Sequence, residues 1–136
     1  MSDNEARNLA TAASLCKSWN DHDPEGFAAH FAEDGIWLLA RGAPPDGFTV
    51  RGRVAVRDMY RHFCETIPDI HCEVRCHWAT GTDRACSEWH ITGTMENGTK
   101  LDWLGLDLWT FDEAGKVVRC DAYYKSEGNL SGMRGG

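Results

Sequence analysis

Three side chains on two neighbouring stretches have the types and spacing for proton-transfer chemistry: Glu88, His90 and Asp107. Stretches 84–95 and 100–111 follow a period of two and flank Asn97-Gly98, a pair that tolerates the positive φ values of a two-residue hairpin turn. Such a turn pairs Glu96 with Thr99, and partners keep that sum along the ladder, so Glu88 faces Asp107 and His90 faces Gly105. Opposed side chains stand roughly 4.5–5.5 Å apart at Cβ on one face of the sheet. Two carboxylates that close cannot both ionise cheaply, and His90 completes an acid/base set. The expected roles are Asp107 as acid or oxyanion donor, His90 as base or its partner, and Glu88 as the group that tunes them. The alternative is a solvated face on which Glu88 and His90 merely pair across the sheet.

On this register one face of 100–111 carries Trp103, Gly105, Asp107, Trp109 and Phe111, an acid among aromatics. A partly apolar face with a few converging polar groups describes a small-molecule cavity, and Trp37, Tyr60, Trp103, Trp109 and Tyr124 are its expected substrate-binding walls. The opposite face gathers Trp89, Ile91, Leu104, Leu106 and Leu108. That surface is too apolar for solvent and predicts a homodimer through the outer face of the sheet. The run His71-Cys72-Glu73-Val74-Arg75-Cys76-His77 does not make a zinc site on a strand. Cys72 and Cys76 share a face but lie roughly 13 Å apart by strand rise, whereas both sulfurs of a zinc site must reach the metal at about 2.3 Å. Cys86 lies on the expected face of His90, yet nothing nearby favours a thiolate there. No metal and no cofactor is therefore expected.

The elements that must position these groups are legible in order. Apolar or small residues at Leu9, Ala12, Ala13, Cys16 and Trp19 recur at helical spacing from Glu5 to Trp19. Asp23 caps a second short helix with Pro24 at its first position; Phe27, Ala28 and Phe31 form its inner face, and Asp34-Gly35 turns the chain. Ile36 to Leu39 reads as a buried strand, and residues 41–47 as a loop and candidate lid at the rim of the cavity. Val56, Met59, Tyr60 and Phe63 mark a third helix that stops before Pro68. Strands are expected at 69–79, 84–95, 100–111 and 116–125, which makes the fold α+β.

One domain over residues 1–126 and a flexible Gly-rich tail at 127–136 account for the 136 residues, of which 42% are apolar. The formal net charge of −7 and pI near 5.3 exclude attraction to phosphate backbones or anionic lipid, so neither nucleic acid nor membrane is an expected partner. The first residues form neither a secretory signal nor a membrane span, which predicts a cytoplasmic protein whose six cysteines stay reduced, most of them as small buried hydrophobes.

The segment LGLDLWTFDEAGKVVRCDAYYK (104–125), with the helices and the HFAEDG turn (30–35) before it, resembles the superfamily of ketosteroid isomerase, SnoaL-like polyketide cyclases and nuclear transport factor two. The resemblance covers about residues 8–125. It implies a cone-shaped half-barrel, a curved and mainly antiparallel sheet wrapped over three N-terminal helices, with Asp107 at the position of a protonated oxyanion-hole acid. It also implies that Glu88, His90 and Thr92 point inward. Against the isomerase pattern, however, the general base falls on Leu39 and the oxyanion tyrosine on Leu15. The key acid of the epoxide hydrolase and cyclase branches falls on Ala122, and Asp121 beside it points to the other face. The resemblance thus implies a cofactor-independent isomerase, dehydratase or cyclase type of enzyme acting on a small, largely apolar carbonyl or hydroxyl compound. A non-catalytic ligand-binding or dimerisation module of the same fold is the alternative.

Overall fold

The computed structural model describes residues 2–126, so the expected tail at 127–136 lies outside the described residues. The elements are α1 (Asp3–Asn20), α2 (Pro24–Ala29), β1 (Phe31–Leu38), β2 (Thr49–Arg51), α3 (Arg53–Thr66), β3 (His71–Thr80), β4 (Arg84–Thr94), β5 (Lys100–Phe111) and β6 (Val117–Lys125). A capping box opens α1: the Ser2 hydroxyl accepts from the Glu5 amide, and the Glu5 carboxylate accepts from the Ser2 amide. Ala12, Leu15 and Trp19 then bury one helical stripe. In α2 the Asp23 side chain accepts from the Gly26 amide, and Pro24 loses nothing at a position where its missing N–H has no partner to bond.

Six strands form one curved, unclosed sheet in the order β2-β1-β6-β5-β4-β3, packed over the three helices as an α+β cone. The β1–β6 ladder is parallel and the other four are antiparallel. Phe31 opens β1 instead of closing the inner face of α2, and Asp34-Gly35 sits in an irregularity of the β1–β6 register. A Cβ on Gly35 would stand 2.6 Å from the Val117 carbonyl oxygen, so the bulge closes only around a glycine.

The β4–β5 hairpin corrects the expected register by one residue. The Met95 amide donates to the Thr99 carbonyl, and the Gly98 amide to the Met95 carbonyl, each at 2.9 Å. Gly98 has φ 86° and Asn97 a negative φ, so the loop is Glu96-Asn97-Gly98, a three-residue connection ended by a left-handed glycine. The Asn97 side chain accepts from the Thr99 amide at 2.9 Å and braces that shape. Ser87 therefore faces Asp107, Trp89 faces Gly105, Glu88 faces Leu106 and His90 faces Leu104. A one-residue change flips every β4 side chain to the other face. Trp89 and Ile91 now point into the core, only 3% and 7% exposed, while Glu88 and His90 stand on the outer face. Burying two large apolar side chains contributes about 1.5–3 kcal/mol each. That gain outweighs the choice between two tolerable turns.

A second bulge lies in β3, where Val74 pairs with Trp89 and Cys76 with Glu88, leaving Arg75 as the extra residue. It puts Cys72 on the buried side and Cys76 on the exposed one, so the two do not share a face. Among the described residues no group of three or more His, Cys, Asp or Glu side chains could hold a metal ion, and no helix is long and apolar enough to cross a membrane.

Candidate functional site

Helices α1 and α3, the 39–48 loop and the inner sheet face enclose a cavity of about 540 Å³. Its walls are overwhelmingly apolar. Trp37, Trp103, Trp109 and Tyr124 line it as expected, with Trp103 and Tyr124 stacked at a centroid distance of 4.6 Å. Tyr60 does not line it: the ring is fully buried behind the wall, stacked on Trp19 at 4.2 Å, and its hydroxyl donates to the Trp19 carbonyl. Burial and that role leave no free hydroxyl for a ligand.

Asp107 projects from β5 into the cavity. Its side chain keeps some access to the cavity but is otherwise enclosed by protein, and this burial pushes its carboxyl up to about 7. The Trp89 indole N–H and the Cys120 thiol face the carboxyl and oppose the shift by favouring its charged form. The Trp89 Nε1 makes no hydrogen bond of ordinary geometry, so its contact with Asp107 is loose and leaves the burial dominant. Gly105 makes this placement possible. A Cβ there would meet Trp89 at 2.6 Å and the Tyr124 Cβ at 2.5 Å, so only a glycine lets the Trp89 ring lie across β5 toward Asp107.

Glu88 and His90 are not brought to Asp107. On the outer face the Glu88 carboxylate accepts from Trp78 Nε1 at 2.9 Å, and His90 Nε2 contacts the Asp102 carboxylate. The solvated alternative describes them, with Asp102 rather than Glu88 as the histidine's partner. Leu15, Leu39 and Ala122, the positions where the resemblance seeks a tyrosine and two acids, all line the cavity as apolar residues. Sequence reasoning missed three further groups in the lining, the thiols of Cys16, Cys72 and Cys120. The Cys72 thiol is raised by its hydrogen bond with Cys16 and by burial, the Cys120 thiol by burial and by Asp107, so both remain neutral.

A buried polar chain fixes one wall. Trp109 Nε1 donates to Ser87 Oγ at 2.9 Å, and Ser87 Oγ lies 2.8 Å from His77 Nδ1. An indole can only donate, so Ser87 Oγ accepts there, and toward Nδ1 of a neutral His77 it donates or accepts according to which ring nitrogen carries the proton. Burial lowers the His77 pKa, in keeping with this neutral form. The result is a cavity with one carboxyl poised near neutrality, able to donate a hydrogen bond or exchange a proton with whatever fills the apolar space.

The fold recurs in many solved structures. Bal32a, from a soil-derived mobile gene cassette, is 15% identical with a TM-score of 0.80, covering 91% of this chain and 93% of that one. An NTF2-like protein from Burkholderia pseudomallei K96243 is 21% identical, with a TM-score of 0.75 and 92% of each chain covered. RV0760c from Mycobacterium tuberculosis, solved in complex with estradiol-17beta-hemisuccinate, is 17% identical, with a TM-score of 0.76 and 88% and 94% covered. At such identities the likeness establishes the fold alone. No curated protein matches. The SnoaL-like domain model matches residues 12–120, most of the chain, and on that match the protein belongs to the SnoaL-like domain family.

Proposed function

We propose that the cavity binds a small, largely apolar carbonyl or hydroxyl compound and that Asp107 handles its proton, in a cofactor-independent reaction of the isomerase, dehydratase or cyclase type. One observation carries the reading: a carboxyl pushed up to about 7 by burial, inside an apolar cavity of about 540 Å³. A carboxyl titrating there is half protonated near neutral pH, so it serves as acid or base with little cost in either direction. Trp103, Trp109 and Tyr124 would hold the substrate and exclude water. That RV0760c, which shares the fold, was solved in complex with estradiol-17beta-hemisuccinate supports a ligand of this kind, and a cytoplasmic setting suits the reduced thiols.

A second reading has its own support. Asp107 is the only carboxylate lining the cavity among the described residues, and the one histidine in the lining, His62, is exposed. A lone neutral acid can simply donate a hydrogen bond in a non-catalytic binding module. The outer sheet face, with Leu104 41%, Trp78 43% and Tyr123 55% exposed, supports a homodimer in either case. Sedimentation over a range of protein concentrations tests that contact.

The deciding experiment is a carbon-13 NMR titration of the Asp107 carboxyl, with and without a panel of phenolic and steroid-like ligands and with Asp107→Asn as the assignment control. A midpoint near 7 that moves on ligand binding supports the acid/base site. An ordinary carboxylate midpoint, unmoved by every ligand, would end it.

A further inference from the structure

The charged groups of the cavity are sorted by depth. Asp107 is enclosed, whereas the lining residues that are exposed are Arg41, Gly42, Phe48 and His62, which therefore mark the mouth. Among the described residues, two of these four are basic and none is acidic, on a chain whose formal net charge is −7. Asp46, from the same loop as Arg41, instead lines the groove on the outer side of the sheet. Within the loop the Phe48 amide donates to the Arg41 carbonyl at 2.7 Å, and the Arg41 Nε donates to the Oγ of Ser126, just beyond β6, at 3.2 Å. Its charge reaches into the cavity, where it opposes the rise that burial imposes on the Tyr124 hydroxyl.

From this arrangement, and resting on the reading of the cavity as a ligand site, we infer that the ligand is an amphipathic anion whose apolar body fills the cavity and whose acidic group stays at the mouth against Arg41 and His62. The orientation follows from the cost of charge. An anion placed deep would lose its hydration beside a carboxyl and neutral thiols, with no cation to replace the water. At the mouth the same anion keeps its solvent and gains a guanidinium that holds its charge at any physiological pH. A protein of net negative charge repels anions generally, so a basic rim is a local exception that steers them to this opening.

The test uses 4-(pyren-1-yl)butanoate and its primary amide, two probes alike in their ring and tether but not in charge. Five of the six tryptophans (Trp19, Trp37, Trp89, Trp103 and Trp109) line the cavity, so energy transfer to bound pyrene reports occupancy. The acid should bind about fivefold more tightly than the amide at low ionic strength, and high salt should erase the difference. Arg41→Gln should bring the ratio of acid to amide affinity down to about one, and His62→Gln should reduce that ratio less. Equal affinities of acid and amide in the unaltered protein overturn the inference while leaving the cavity intact as a ligand site, since both probes still bind. Failure of both probes to bind overturns the cavity reading as well. Ala122→Phe fills the space opposite Asp107, and binding that survives it places the probe elsewhere and overturns the inference too.

Discussion

The inner and outer faces of the β4–β5 hairpin carry similar chemistry and do opposite things with it. Inside, Asp107 stands among Trp89, Cys120 and Ser87 and is pushed up to about 7, because no water reaches it except through the cavity. Outside, Glu88, His90 and Asp102 have solvent and one another, with Asp102 at 77% side-chain exposure. A carboxylate is therefore not a candidate catalyst by type or by proximity to a histidine. Burial makes it one, and burial here is decided by which of two alternating sets a strand turns inward.

Asp107→Asn should break this contrast most visibly. An unfolded aspartate titrates near 3.9, whereas the folded group titrates at about 7. The folded state thus binds the proton more tightly, so stability should fall as pH rises from about 4 to about 7 and level off above. Asparagine removes the buried charge. The variant should match the parent at pH 4 and exceed it by about 2–4 kcal/mol at pH 8 in urea unfolding. Parallel pH profiles for the two proteins would place Asp107 in contact with bulk water. Gly105→Ala should act next most strongly, losing about 1–3 kcal/mol by overpacking against Trp89 and Tyr124. A loss under a few tenths would show that Trp89 is free to move away from Asp107.

Ser87→Ala tests the wall rather than the acid. It leaves the Trp109 indole N–H buried without an acceptor and should cost about 1–3 kcal/mol, read as a lower denaturant midpoint. If Trp109 turns to a new partner, the loss shrinks and the near-ultraviolet circular dichroism of the tryptophans changes instead.

Most elements were legible in order because they carry a local signal, a capping residue before α2, a helical stripe in α1 and a period of two from β3 to β6, whereas β2, only three residues long, carries none and was not expected. The inward face of β5 was legible too, since Trp103, Asp107 and Trp109 alternate with leucines. What failed was the relation between strands. Asn97-Gly98 fits a two-residue turn and equally a three-residue turn that ends on Gly98, and local chemistry does not choose between them. The choice rests on burying Trp89 and Ile91 against the helices, a long-range term. One clue was present in Gly105, a glycine amid bulky strand residues, which signals that another side chain approaches the backbone there. Read that way, it points to Trp89 as its inward partner and removes Glu88 and His90 from the cavity.

The smallest expected effect discriminates the two faces most directly. In Glu88→Gln and His90→Gln the charge is lost, but Trp78 Nε1 keeps an acceptor and both side chains keep their solvent. Exposed pairs of this kind are worth less than about 1 kcal/mol. Neither variant should change the unfolding free energy by more than about 0.5 kcal/mol, and neither should move the Asp107 titration. The second readout carries the weight, because stability alone does not separate a surface pair from a tolerant site. A displaced Asp107 midpoint in His90→Gln would mean that the two groups share a face after all, and with it the register that a two-residue turn imposes.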